Sequence, residues 1–129
     1  MVQAPPKPEP KPREVTTRSP RERLGISDEA AERVKAKAFE WLKEVFELAG
    51  DGLLPGVKLT KAMCPISNTL RAAGFEDVLV GYTYLSYRPA ELNLATIKLP
   101  AFVGRFPRWF DWGVYPELEL KVNAIGQPI

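Results

Sequence analysis

The stretch Asp77-Val78-Leu79-Val80-Gly81-Tyr82-Thr83-Tyr84-Leu85-Ser86-Tyr87 decides the fold of this chain. It is rich in β-branched and aromatic residues and reads as a strand over 77–87. One face carries Val78, Val80, Tyr82 and Tyr84, and the other Leu79, Thr83, Leu85 and Tyr87. A strand with one solvated face alternates cleanly between apolar and polar. Neither face here is polar, so both are expected to be covered.

Upstream, KLTKAMCPISNTLRAAG (Lys58–Gly74) has Pro65 where the first helical residue needs no N–H and Gly74 just past the end. It predicts a short helix over 65–73, with Ile66, Leu70 and Ala73 facing inward. DGLLPG (Asp51–Gly56) reads as a loop. Before it, Ala31, Val34, Ala38, Trp41, Leu42, Val45, Leu48 and Ala49 follow helical spacing behind the cap residue Ser27. That predicts a long helix over 28–49, stopped by Gly50. Its other face (Arg33, Lys37, Glu40, Glu44, Glu47) reads as solvated.

Downstream, RPAELN (Arg88–Asn93) is a turn and Leu94–Leu99 a second strand, antiparallel by its short connection. PAFVGRFPRWFDWG (Pro100–Gly113) is helical, with Pro107 expected to kink it or split it in two. Glu117–Val122 alternates strictly and predicts a third strand with one wet face, at a sheet edge. The expected architecture is α+β: a small antiparallel sheet of about three strands, one long helix and two short ones, in the order α-α-β-β-α-β.

Charge divides the chain. Residues 1–24 hold six basic and three acidic side chains, a net of +3, and residues 25–129 hold 12 basic and 13 acidic, a net of −1. Six of the 13 prolines fall within the first 20 residues. A Pro-rich segment without apolar anchors cannot offset its ordering entropy. Residues 1–24 are therefore expected to be an extended basic arm without regular structure, and 25–129 one domain. Read along a partner, the arm offers Arg13, Arg18 and Arg21.

The chain of 129 residues has no histidine and one cysteine. That excludes Ser-His-Asp and Cys-His nucleophile systems, His-ligated metals and an internal disulfide. Phosphate loops, dinucleotide fingerprints and EF-hand loops are missing. No run matches a membrane helix, and the N-terminal MVQAPPKPEPKPR lacks the apolar core of a signal peptide. Cys64, just ahead of a helix start, would gain thiolate character there, yet no histidine could serve as its base, and a packed, inert thiol is expected. Glu76, Asp77 and Asp111 form no pair fixed by spacing. No catalytic residue, cofactor or metal follows from this sequence, and a cytoplasmic location or a place within a larger assembly is expected.

RFPRWFDWGVY (Arg105–Tyr115) sets Phe106, Trp109, Phe110, Trp112 and Tyr115 beside Arg105 and Arg108. Its aromatics fit a core. The same composition fits a protein interface or base stacking with phosphate contacts.

Cys64-Pro65-Ile66 through Leu70, Val78-Leu79-Val80-Gly81, Pro100 to Phe106, Phe110-Asp111-Trp112-Gly113 and Pro116 to Leu120 together resemble a family of short phage and actinobacterial proteins of unknown function. The likeness spans residues 57–122. It implies a phage-type accessory protein and assigns no catalytic residue.

Two functions are in view. The first is a non-enzymatic protein that binds another protein chain through the arm and the tyrosines Tyr82, Tyr84 and Tyr87. The second is a nucleic-acid-associated protein using the arm with Arg105, Arg108, Trp109 and Trp112. The near-zero charge of the body favours the first.

Overall fold

A computed structural model of the chain describes residues 18–89 and 93–121. Its elements are helices α1 (Pro20–Leu24), α2 (Asp28–Phe46) and α3 (Pro65–Ala72), strands β1 (Glu76–Val80), β2 (Tyr84–Arg88) and β3 (Ala95–Lys98), helix α4 (Ala101–Asp111), and a 3-10 turn at Pro116–Leu118. The fold is α+β, with a three-stranded antiparallel sheet in the order β1-β2-β3.

Helix α2 starts as its sequence dictates: the Ser27 side chain accepts from the Ala30 N–H, and Asp28 and Glu29 sit in the positive first turn. It ends at Phe46, not at residue 49, because Glu47 turns left-handed (φ 54°) and caps it. Ala31, Val34, Ala38, Leu42 and Phe46 are buried along one stripe, continuous with Ile66 and Leu70 of α3, Val78, Val80 and Leu85 of the sheet, and Val103, Phe106 and Phe110 of α4. At one end of this core the Phe46 ring meets Phe75 and Tyr87 edge-on, with centroids 5.1 and 5.2 Å away.

The expected strand over 77–87 is two strands. The chain reverses at Gly81–Thr83, and the Gly81 N–H donates to the Tyr84 carbonyl at 2.9 Å. Val80 pairs with Leu85, and Leu85 with Ile97, in one row on the core face. Leu79, Ser86 and Thr96 form the row behind, on the opposite face. The tyrosines are thereby separated: Tyr84 stands on the outer face, 54% exposed, whereas Tyr87 lies on the core face, packed against Phe46.

Two further corrections concern the ends of the fold. Where a third strand is expected over 117–122, the described residues 117–121 form the end of a 3-10 turn and then a parallel bridge, Gly56 to Glu119; Val122 lies outside the described residues. Buried Val114 and Tyr115 anchor the chain, Pro116 opens the turn, and the segment meets a loop instead of a strand. Helix α4 is one element despite Pro107, which is buried within it.

Residues 18–24, assigned above to an unstructured arm, instead carry a capped helical turn. Ser19 caps α1 and Gly25 closes it in the left-handed region. Arg21 fastens it to the body. Its Nε donates to the Val114 carbonyl at 2.8 Å, and its guanidinium pairs with Asp28 (3.0 Å) and Glu117 (3.4 Å) and lies over the Tyr115 ring. Proline spacing predicted the extended character, but the polar anchor offered by a single arginine carries no apolar signature. The remainder of the arm, Arg13 included, lies outside the described residues.

Candidate functional site

The outer face of the sheet opens onto a cleft of about 800 Å³, within the range of roughly 300–1,000 Å³ typical of ligand pockets. Leu79, Tyr84, Ser86 and Thr96 of the strands, with Leu94, form its floor; the loop Leu59–Lys61 bounds it on one side and Pro107, Arg108 and Asp111 of α4 on another. Leu59, Leu79, Tyr84 and Leu94 are 78, 45, 54 and 50% exposed, an apolar surface that no described element of the chain covers.

The turn carrying Tyr82 is held against α4 by a close backbone approach and a polar link. Gly104 faces the Tyr82 carbonyl so closely that a Cβ there would overlap its oxygen. The Tyr82 hydroxyl donates to Asp111 Oδ2 at 2.5 Å, and Asp111 Oδ1 accepts from the Leu59 N–H at 2.8 Å. One carboxylate thus ties the hairpin turn, the rim loop and the end of α4 together. The hydrogen bond to Asp111, with burial and the carboxylate charge adding to it, pushes the Tyr82 phenol up to about 12. A phenol held in its protonated form is a poor nucleophile or base near neutrality. Arg108 stacks over the same ring, its guanidinium carbon 5.3 Å from the centroid.

Among the described residues, no ion pair engages Lys61 or Arg108. The cleft therefore presents two cations and one carboxylate whose two oxygens are already bonded.

Cys64 borders the cleft but is 3% exposed. Its Sγ accepts from the Ser67 N–H at 3.5 Å as the cap of α3, and burial raises its pKa, the opposite of thiolate activation. Among the described residues no group of three or more metal-ligating side chains converges, and no helix is long and apolar enough to cross a membrane.

The residues singled out in the sequence fall into three sets. Tyr82, Tyr84 and Arg108 converge on the cleft. Tyr87 and Arg21 are committed to the protein's own packing. Arg105 lies over the Trp109 ring on α4 without lining the cleft, Trp112 is 50% exposed at the helix end, and Arg18 is exposed ahead of α1. The aromatics Phe106, Phe110 and Tyr115 fill the core. Sequence reasoning missed Lys61, Leu79, Leu94 and Asp111 as site residues. Only the hairpin brings Leu79 and Thr96 into line, and no local pattern marks the Leu59–Lys61 loop as its rim. Comparison of the chain with protein-family models, with curated proteins and with solved structures finds no match in any of the three.

Proposed function

We propose that this is a non-enzymatic accessory protein that binds an extended segment of another protein chain in the cleft on the outer face of its sheet. The observation that carries the reading is the uncovered apolar surface of Leu79, Tyr84 and Leu94, set around the hydroxyl-bearing Ser86 and Thr96 of the same face. An apolar floor with a few polar groups suits a peptide whose side chains dock while its backbone finds hydrogen-bond partners. Tyrosine tolerates water when free and burial when bound. These three side chains are already half-buried, so covering what remains exposed would contribute roughly 0.7–1.5 kcal/mol each, about half the value of full burial, before association costs are met. An accessory role is what the resemblance read in residues 57–122 to short phage and actinobacterial proteins would imply, and the Pro-rich residues ahead of α1 would offer a second contact with the same partner.

Photo-crosslinking in cells tests this. A benzophenone side chain in place of Tyr84 is expected to give a discrete protein adduct, and the same group in place of Arg33, on the solvent side of α2, is not. An adduct removed by nuclease, or equal labelling from both positions, overturns the reading. The nuclease-sensitive outcome favours the nucleic-acid alternative, which would draw on the arm with Arg105, Arg108, Trp109 and Trp112.

A further inference from the structure

We infer that the segment bound in the cleft is acidic as well as apolar, with a carboxylate seated between Lys61 and Arg108. The inference rests on the peptide-binding reading above and adds the chemistry of the partner. Three observations support it.

The first is charge. Lys61 and Arg108 border the cleft, and among the described residues neither has a carboxylate within ion-pair distance. The one acid of the cleft, Asp111, already accepts from Tyr82 and Leu59, one bond to each oxygen. Asp111 keeps its negative charge, so Lys61 and Arg108 against it leave the cleft a net charge of +1. Its two oxygens are already occupied while both cations, among the described residues, are free to pair, which favours an incoming anion over an incoming cation.

The second is geometry. Arg108 is oriented by the Tyr82 ring beneath it, and that ring is fixed by its link to Asp111. A guanidinium stacked on an anchored ring loses less freedom on binding, and its fork suits a carboxylate.

The third is the floor. Leu79 and Leu94 are aliphatic and exposed. Tyr84 is the one aromatic ring of the floor, so the surface offers more to aliphatic side chains than to a run of stacked bases, which favours several aromatic platforms. A strand-like peptide alternating apolar and acidic residues would lay its apolar side on the floor and turn its acids to the rim.

The test uses the full chain, isotopically labelled, titrated with three acetylated peptides of equal length: alternating Leu-Glu, Leu-Gln and Leu-Lys. Oligo(dT) is the nucleic-acid probe. The acidic peptide is expected to shift the amides of Leu79, Tyr84 and Thr96 and to bind at least about tenfold more tightly than the lysine peptide. Lys61→Glu with Arg108→Glu is expected to abolish that preference, and Arg33→Glu to leave it unchanged. Circular dichroism confirms that each variant is folded.

Equal binding of all three peptides in the cleft overturns the charge selection and leaves the peptide-binding reading standing. Binding of oligo(dT) alone, weakening steeply with salt, overturns both. An absence of cleft shifts with every peptide at millimolar concentration overturns the acidic-segment inference, while the Tyr84 crosslink judges the broader reading separately.

Discussion

Replacing Gly104 with alanine reverses the sign that helix propensity alone would assign. Gly104 lies inside α4, where alanine is favoured over glycine by about 1 kcal/mol. Its missing Cβ is where the hairpin turn approaches the helix, and the obstacle is the Tyr82 backbone oxygen, which no side-chain rotation can move. Forcing an extra methyl into a packed contact costs typically 1–3 kcal/mol. The two effects leave Gly104→Ala less stable by up to about 2 kcal/mol. Urea unfolding should show this as a lower midpoint with an unchanged slope. Gly52→Ala is the control, since a Cβ at Gly52 meets nothing within 4 Å; it is expected to be neutral or mildly stabilising.

The same substitution reaches the site. Pushing the turn away from α4 strains the Tyr82–Asp111 link and shifts the ring on which Arg108 rests. Amide shifts in Gly104→Ala should therefore concentrate at residues 81–84 and 59–61. A midpoint equal to or above that of the parent would refute the reasoning, because it would mean the turn can retreat without cost and is not seated on the helix.

Further expectations concern groups whose environments are equally specific. Arg21→Ala should lower stability by about 1–3 kcal/mol, read by the same urea titration, because it removes a bond to the Val114 carbonyl and ion pairs with Asp28 and Glu117; its amide exchange should rise across 19–25, and unchanged exchange there would count against docking of α1. Tyr82 should ionise near pH 12 by phenolate absorbance, and Asp111→Asn should lower that value toward the ordinary one near 10. Because the folded state holds this proton more tightly than the unfolded chain, its contribution is complete below about pH 10 and is lost between about 10 and 12; the stability gap between parent and Asp111→Asn should narrow across that interval. Cys64, buried with its pKa raised by burial, should react with a thiol reagent only as the protein unfolds, and rapid labelling of the native protein would contradict the packing described.

Much of the fold was legible because local signals and burial agreed. Ser27 caps a helix whose expected stripe is buried at Ala31, Val34, Ala38 and Leu42, whereas Val45 and Ala49 are exposed and Phe46 takes the inward place. Pro65 and Gly74 bound α3 nearly as expected, with Ile66 and Leu70 buried and Ala73 exposed. The decisive stretch 77–87 was misread as a single strand, yet it contains the correction. Val78 and Val80 are even-numbered and buried, Leu85 is odd-numbered and buried, and Tyr87 shares the Leu85 face. A strand with a side-chain period of two cannot point both parities at one core. A change of apolar parity across a glycine therefore signals a reversal, and Gly81 stands at that change. The apparent lack of a polar face was two opposite alternations laid end to end. Once they are separated, Ser86 and Thr96 mark a solvent face of ordinary polarity, and Leu79 and Tyr84 remain as the apolar residues that face does not need for folding. The cleft was less legible, because Asp111, Lys61 and Leu94 come from three separate segments and meet only when the hairpin turn seats on Gly104. Residues that contribute little to the core and still converge at a cleft are the ones whose substitution should alter binding while sparing stability, and Leu79, Tyr84 and Arg108 meet that condition here.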